Sequence, residues 1–123
     1  MLARQNRLRQ NKDFSWVFKV GRRVKGEVLD LKIINNNLGI NRFGFIIAKN
    51  LFKTAVLRNK LKRRLREIMK KKLKNKEVGK SQDIVVIAKK GMQEKSFSEL
   101  EKAVDKLLSI RGENWENKTK ADF

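Results

Sequence analysis

The segment from Arg58 to Lys76 most constrains the fold, because eleven of its nineteen residues are Lys or Arg and only Glu67 is acidic. A helix turns by about 100° per residue, and on a helical projection four apolar residues fall within one arc of about 80°. These residues are Leu57, Leu61, Leu65 and Ile68. The pattern predicts a long helix, from about Thr54 to Leu73, that packs one narrow face on a core and leaves its cations outside.

The polar residues of this helix form two surfaces, one on each side of the apolar arc. The larger surface spans about 140°. Its members are Arg58, Asn59, Lys62, Arg63, Arg66 and Lys70, and the smaller flank holds Lys60, Arg64 and Lys71. A merely solvated face usually carries acidic residues at i,i+4, and without them each pair of cations repels by about 0.2–0.5 kcal/mol. An array of phosphates would remove that repulsion, and the arginine fork suits phosphate and guanine.

The whole chain has the same imbalance, with 32 Lys and Arg against 13 Asp and Glu and a formal net charge of +19. Such a charge favours a polyanionic partner. The longest apolar run, Ile84 to Ala88, is far shorter than the about 20 residues that span a bilayer. Met1 to Gln10 lacks the apolar region of a secretory signal. We therefore expect a cytoplasmic nucleic-acid-binding protein with no membrane partner.

The residue types that most often carry catalysis are missing. The sequence has no cysteine and no histidine, so it offers no disulfide, no thiolate nucleophile, no usual zinc site and no histidine general base. Its carboxylates are scattered and usually adjoin Lys or Arg, which is a poor basis for a magnesium site. We expect no catalytic residue in this chain, and we assign no metal ligand.

A short first helix is predicted over 12–20. Phe14, Val17 and Phe18 lie at helical spacing there, Asn11 is a plausible N-cap, and Gly21 stands where a helix would stop.

Two half-buried strands are predicted over 27–34 and 42–49, because apolar and polar residues alternate in both. The inward residues are Leu29, Leu31 and Ile33 in the first strand and Phe43, Phe45 and Ile47 in the second. Three asparagines at 35–37 and Gly39 make a turn between them. This turn favours an antiparallel pair.

The apolar run 84–88 predicts a fully buried strand, and a last helix follows it. Ser96 and Ser98 each precede a Glu by three residues, which gives two overlapping capping-box candidates. The face of this helix that packs on the core contains Leu100, Val104, Leu107 and Leu108.

The last helix is expected to end near Gly112. Residues 1–112 would then form a single RNA-binding domain, and residues 113–123 a polar C-terminal tail that is ordered only in part. The alternation of helices and strands favours an α/β arrangement in which helices pack on one small sheet.

The basic helix resembles the signature helix of the bacterial ribonuclease P protein family, which reads approximately A-V-x-R-N-R-x-K-R-x-x-R. The corresponding residues here are Ala55-Val56-Leu57-Arg58-Asn59-Lys60-Leu61-Lys62-Arg63-Arg64-Leu65-Arg66. The first helix and the strands before and after the signature are also similar, so the resemblance covers about residues 4–110. Two departures are Lys60 in place of arginine, and Phe52 with Lys53 where the family usually has glycine.

The resemblance implies a fold and a function. The fold is an α+β two-layer sandwich of order αβββαβα, with a left-handed crossover through the signature helix, similar to the second domain of ribosomal protein S5. The function is that of an endoribonuclease that removes the 5′ leader of precursor tRNA, with the catalytic centre in the RNA subunit and the Mg²⁺ held mainly by that RNA. The implied partners are ribonuclease P RNA and precursor tRNA, with no small-molecule substrate.

The resemblance also implies two RNA-binding surfaces. The signature helix would contact the catalytic RNA through Arg58, Asn59, Lys62, Arg63, Arg66 and Lys70. A cleft between the first helix and the sheet would hold the leader, and its residues would be Phe14, Phe18, Arg22, Phe43, Phe45 and Lys49. Judged from the residues alone, Phe14 and Phe18 favour core packing, and the resemblance makes stacking on a leader base an equal alternative. At least one of Phe43 and Phe45 is expected in the core.

Three other functions stay open at this point. A structural ribosomal or nucleoid-type protein would share the charge but would not assist cleavage. A protein-only nuclease would cleave without RNA and would depend on one or two carboxylates. A membrane-surface helix would need bulky apolar residues exposed beside its cations. The apolar residues of the basic helix are instead expected to pack in the core.

Overall fold

A computed structural model describes residues 2–75 and 81–122, with side chains described up to residue 109. Within those residues the order is αβββαβα, which confirms the order implied by the resemblance. The elements are α1 (Asn11–Val20), β1 (Arg22–Val24), β2 (Leu29–Asn35), β3 (Arg42–Ile46), α2 (Ala55–Lys74), β4 (Gln82–Ala88) and α3 (Phe97–Asp122), with short 3-10 turns at Arg4–Asn6 and Met92–Glu94.

The strands form one sheet in the order β1-β2-β4-β3. The predicted antiparallel pairing of β2 with β3 is wrong, because β4 lies between them, antiparallel to β2 and parallel to β3. The physical reason is the composition of β4: Ile84, Val85 and Val86 are fully buried, so this strand needs neighbours on both sides and cover on both faces. The parallel pair is joined through α2, the connection for which the resemblance implies a left-handed crossover.

The two faces of the sheet carry two apolar clusters. The main core lies on the face covered by α2 and α3, and it includes Leu31, Ile33, Phe43, Ile84 and Val86. A smaller cluster lies on the opposite face, where α1 packs against Val85 through the fully buried Val17. Because α1 is short, it covers only part of this face, and Ile46 and Ile87 stay half-buried.

The first helix is confirmed, although its ends differ from the prediction. It begins at Asn11, and Gln10 occupies the N-cap without a side-chain hydrogen bond, so Asn11 is not the cap. Gly21 does end the helix, but with an ordinary φ of −70°. Its N–H donates to the Val17 carbonyl at 2.7 Å, and a Cβ at Gly21 would lie 2.3 Å from that oxygen. Close approach of the backbone, not a left-handed turn, requires glycine here.

The basic helix α2 packs as its pattern predicts. Thr54 caps it by accepting a hydrogen bond from the Leu57 N–H at 3.1 Å, and Leu61, Leu65 and Ile68 are buried.

A lysine also lies on the buried side of α2. Lys72 is 3% exposed. Its ammonium pairs with Asp105 of α3 and lies 3.9 Å from Glu101, while neighbouring Lys71 contacts Glu101 at 2.9 Å. The flank of α2 that faces α3 is therefore neutralised by acidic residues of α3, which the pattern of α2 alone did not indicate.

The last helix begins with one of the two predicted capping boxes. The Ser96 N–H donates to Glu99 Oε1 at 2.9 Å, and the Glu99 N–H donates to Ser96 Oγ at 3.2 Å. The predicted end near Gly112 is wrong, because α3 continues to Asp122. A glycine inside a helix costs about 1 kcal/mol relative to alanine, so it weakens a helix without ending it. The division into a domain and a tail at this residue stays a prediction.

The turn between β1 and β2 is held by the buried carboxylate of Asp30. This carboxylate accepts hydrogen bonds from Arg23 Nε and from the Gly26 N–H, both at 2.9 Å, and Lys89 Nζ lies 3.4 Å away. Burial alone would raise the pKa of Asp30, but the Gly26 N–H, Arg23 and Lys89 outweigh it and lower the pKa below the ordinary 3.8.

We predict that Asp30→Asn lowers the free energy of unfolding by about 1–3 kcal/mol at neutral pH, because an amide replaces the charge that these three donors surround. The folded-state pKa of Asp30 lies below its unfolded value. Its contribution is therefore fully present above the unfolded pKa and is lost as the pH falls through the folded pKa. Urea unfolding of both proteins across this range should show the difference shrinking in acid. A difference that persists unchanged in strong acid would contradict the assignment, and Glu27→Gln in the same turn is the matched control.

Candidate nucleic-acid interface

The exposed side of α2 presents most of the residues predicted to bind RNA. One concave surface encloses a cavity of about 490 Å³ and is lined by Asn59, Lys62, Arg63 and Arg66. Val56, which is 78% exposed, also lines it. None of these four polar side chains forms a hydrogen bond or an ion pair with any residue that the structure describes. The surface therefore carries three cations without an ion pair to any described residue. We call it the signature surface.

Arg58 and Lys70 lie at the two ends of this surface. Lys70 is exposed. Arg58 is half-buried, and its Nη1 donates to the carbonyl of Phe52 at 2.7 Å, so part of its fork is already used within the protein. Phe52, one of the departures from the family pattern, is fully buried in the main core. The loop before α2 is thus held by the buried Phe52 ring, by the hydrogen bond from Arg58, and by the N–H groups of Leu51 and Phe52, which donate to the Ala48 carbonyl at 3.2 and 3.0 Å.

A second cavity, of about 290 Å³, lies at the outer edge of β3, the last strand of the sheet. Phe14, Gly44 and Phe45 line it, and so do Lys62 and Arg66 from the signature surface. We call it the edge cleft. It joins the predicted leader-binding aromatics to the predicted RNA-binding cations, because the same two α2 residues border both cavities.

The N-terminal segment completes the edge cleft. Arg7 and Arg9 line it, and the intervening Leu8 donates its N–H to the carbonyl of Phe43 at 2.8 Å, which attaches the segment to β3. Sequence reasoning did not select these two arginines. The available signal was their charge close to the first helix, but an interaction between an irregular segment and a strand edge has no periodicity that reveals it.

The predicted leader-binding aromatics lie in different environments. Phe43 is 1% exposed and belongs to the main core, which confirms that at least one of the two β3 phenylalanines packs inside. Its ring offers almost no surface for a base. Phe45 is half-buried at the edge cleft.

Phe14 and Phe18 are both half-buried against the smaller apolar cluster. The Phe14 ring lies directly on Gly44, where an added Cβ would come within 2.5 Å of two ring carbons. Lys32 Nζ lies 5.2 Å from the centroid of the Phe18 ring and donates to the Phe18 carbonyl at 2.6 Å. Both side chains therefore pack in part and stay partly exposed, and their predicted role in leader binding stays a prediction.

The structure does not bring Arg22 and Lys49 into the edge cleft. Arg22 is on β1, the opposite edge strand, in register with Ile33, so it shares the face of the main core and not that of α1. Lys49 is exposed in the turn after β3 and does not line the cleft. A single residue of register decides the face of a strand residue, and the sequence pattern of β1 is too short to fix it. A leader-binding role for these two residues has no support in this geometry.

The acidic residues Asp13 and Asp83 form contacts with a cation inside the fold. Arg42 forms a bidentate pair with Asp83, at 2.8 and 2.7 Å, and lies 3.4 Å from Asp13. Asp83 thereby raises the pKa of Arg42 above its usual value. Across the described part of the chain, no group of three or more acidic residues is placed to hold a metal ion.

Among the helices that the structure describes, none combines the length and the apolar character that a membrane span requires.

A sheet of this order, crossed by a basic signature helix, agrees with comparisons against known proteins. The sequence profile of the family described as Ribonuclease P matches residues 2–111. The chain belongs to the ribonuclease P protein family. A relative from Syntrophomonas wolfei, a ribonuclease P protein component, is 35% identical over 125 residues, which cover 99% of this chain and 100% of the relative.

Solved structures of ribonuclease P proteins share the fold. The protein from Staphylococcus aureus superposes with a TM-score of 0.76 at 29% identity, covering 85% of this chain and 94% of the other. The protein from Thermotoga maritima gives 0.75 at 32% identity, covering 83% and 94%. The residues that resemble the family's signature helix form α2 of this chain.

We predict that Gly44→Ala destabilises this ribonuclease P family member by about 1–3 kcal/mol, because the new methyl group would lie 2.5 Å from two carbons of the Phe14 ring and must shift that ring from its packed position. Urea unfolding measures the loss. The double variant Gly44→Ala/Phe14→Leu removes the ring carbons that collide, so the two substitutions together should cost less than the sum of their separate costs. Strictly additive costs would show that Phe14 does not rest on Gly44.

Proposed function

We propose that this chain is the protein component of ribonuclease P, which binds the catalytic RNA and the 5′ leader of precursor tRNA and so aids endonucleolytic removal of the leader. The observation that carries this proposal is the shared border of the two cavities. Lys62 and Arg66 line both the signature surface and the edge cleft, so one continuous cationic surface could contact two RNAs at their junction. The relatives at 35% identity are themselves named ribonuclease P protein components.

The charges of the signature surface would act by neutralising phosphates. Two RNAs repel each other where they meet, and cations placed between them release bound counterions and lower that repulsion. Arg63 and Arg66 offer planar forks for bidentate phosphate contacts, whereas Asn59 adds one donor group and one acceptor in the same surface. This contribution raises affinity for the substrate and lowers the concentration of Mg²⁺ needed for assembly.

The edge cleft would position the leader. Phe45 and the exposed part of Phe14 provide apolar surface for unpaired bases, and Arg7 and Arg9 provide charge for the phosphates between them. Stacking of a base on an aromatic side chain contributes about 1–3 kcal/mol without selecting its sequence. Such binding suits leaders of differing sequence.

The chemical step is assigned to the RNA subunit. Mg²⁺ held there would activate the water that attacks the phosphodiester. The described residues of this chain do not fit a metal site of their own, because Asp13, Asp30, Asp83, Glu101 and Asp105 each contact a Lys or Arg side chain. The role of the protein is therefore to bind the two RNAs and to position them for cleavage.

The experiment that tests the proposal is cleavage of a 5′-labelled precursor tRNA at low Mg²⁺ by a bacterial ribonuclease P RNA, with and without this protein. We expect cleavage only when both are present. Cleavage by the protein alone would make it a nuclease, and a protein that gives no stimulation would instead be a structural RNA- or DNA-binding protein.

Substitutions on α2 test which of its faces binds the RNA subunit. Arg63 lines the signature surface, whereas Lys60 is equally exposed but lies on the other flank. Arg63→Ala should weaken binding and lower the slope of log affinity against log salt by roughly 0.7 to 0.9, the loss of one phosphate contact. Lys60→Ala is the matched control and should leave this slope nearly unchanged. Equal effects of the two substitutions would mean that the face is wrongly assigned.

A further inference from the structure

Trp16 lies on the side of α1 that faces away from the edge cleft, and neither RNA-binding surface includes it. Its indole is 55% exposed. It borders a cavity of about 530 Å³ whose other walls come from the end of β2, the asparagine turn at 35–37, and the pair formed by Arg42 and Asp83. This cavity shares no lining residue with the edge cleft.

The asparagine turn is built firmly. Asn36 donates from its amide to the Ile40 carbonyl at 3.0 Å and to Asp83 at 2.8 Å, and its amide oxygen accepts from the Leu38 N–H at 2.9 Å. Asn37 has a φ of 60°, a left-handed conformation that asparagine tolerates. The turn thus holds its shape without help from a ligand.

The other two asparagines are available to a ligand. The side chains of Asn35 and Asn37 are exposed and line the cavity, and neither makes a hydrogen bond within the described ranges 2–75 and 81–109. Each amide offers donors and an acceptor, the pattern that reads the polar edge of a nucleobase.

Charge decides which part of a nucleotide fits this cavity. Two carboxylates, of Asp13 and Asp83, and one cation, of Arg42, line the cavity. Because the net charge of these three groups is negative, they would repel a phosphate but not a neutral base. Cations lie outside the cavity: Lys12 and Lys19 are exposed on α1 at i−4 and i+3 from Trp16, and hence on the same side of the helix. An aromatic ring flanked by cations is the arrangement that binds single-stranded nucleic acid.

We propose that Trp16 and the asparagine turn form a subsite for one unpaired nucleobase of RNA. The base stacks on the indole, Asn35 and Asn37 contact its polar edge, and the neighbouring phosphates contact Lys12 and Lys19. The inference rests on the proposed function only for the source of that RNA, which is either the precursor leader or the RNA subunit.

Fluorescence of Trp16 tests the subsite directly. Trp115→Phe leaves Trp16 as the sole tryptophan of the full chain. A short oligouridylate should quench its emission saturably, and an abasic oligonucleotide of equal length and charge should quench it far less. Equal quenching by the two probes would overturn stacking. Quenching that follows protein concentration without RNA, with a matching rise in sedimentation coefficient, would mean self-association instead and would also overturn the proposal.

Binding measurements with variants complete this test. Trp16→Ala should raise the dissociation constant for oligouridylate about tenfold, and Trp16→Phe should raise it less, while the affinity for the abasic probe stays the same. Asn37→Gly keeps the left-handed turn and should reduce only the preference among oligonucleotides of different bases. Trp115→Phe alone is the control. An unchanged dissociation constant in Trp16→Ala would refute the subsite.

The source of the base is found with the reconstituted enzyme. If Trp16→Ala raises KM for a precursor with a long leader but not for one with a single-nucleotide leader, the base belongs to the leader. If it weakens binding of the RNA subunit, the base belongs to that RNA. No response in either assay, with wild-type stimulation intact, overturns the assignment to these RNAs. Failure of the wild-type protein to stimulate cleavage would count against the proposed function alone, because the oligonucleotide result does not depend on it.

Discussion

The pairing of Lys72 with Asp105 of α3 explains how a helix as basic as α2 can lie on an apolar core. On the helical projection Lys72 falls within the apolar arc, where an unpaired ammonium would be costly to bury. Its contacts with Asp105 and Glu101, and the contact of Lys71 with Glu101, bind α3 to the same flank. The apolar residues of α2 bury the helix against the core, and the acidic residues of α3 compensate the charge of the Lys72 ammonium that is buried with them.

The same pairing makes α2 asymmetric, and the asymmetry defines the interface. Since the acidic residues of α3 face one flank, Lys62, Arg63 and Arg66 on the other flank form no ion pair with any described residue. Lys62 and Arg66 also line the edge cleft, together with residues of β3 and the arginines Arg7 and Arg9 of the N-terminal segment. The N-terminal segment and α2, which are distant in sequence, therefore contribute charge to one surface, and the packing of α3 decides which side of α2 stays exposed.

Local patterns in the sequence predicted the elements that depend on local physics. Apolar spacing gave α1 and α2, alternation gave β2 with its inward residues, and the Ser96 capping box marked the start of α3. The order of the strands was not predictable in this way, because the place of β4 between β2 and β3 depends on contacts between distant segments. The resemblance implied a place in the leader-binding cleft for Arg22, whereas its register with Ile33 puts it on the face of the main core; β1 is three residues long, too short for alternation to fix its register.

The part of the candidate site formed by charged residues of a regular helix was predictable from the sequence. The part whose exposure depends on packing between distant segments was not. Asn59, Lys62, Arg63 and Arg66 form one surface as the projection requires, whereas the burial of Phe43 follows from the neighbours it gains in the sheet. The acidic residues follow the same logic. Five of them contact cations where elements join: Asp30 at the β1–β2 turn, Asp13 and Asp83 at Arg42 of β3, and Glu101 and Asp105 between α2 and α3. In a chain of net charge +19, these carboxylates join elements of the fold, and the cations of the signature surface stay exposed where a polyanion can reach them.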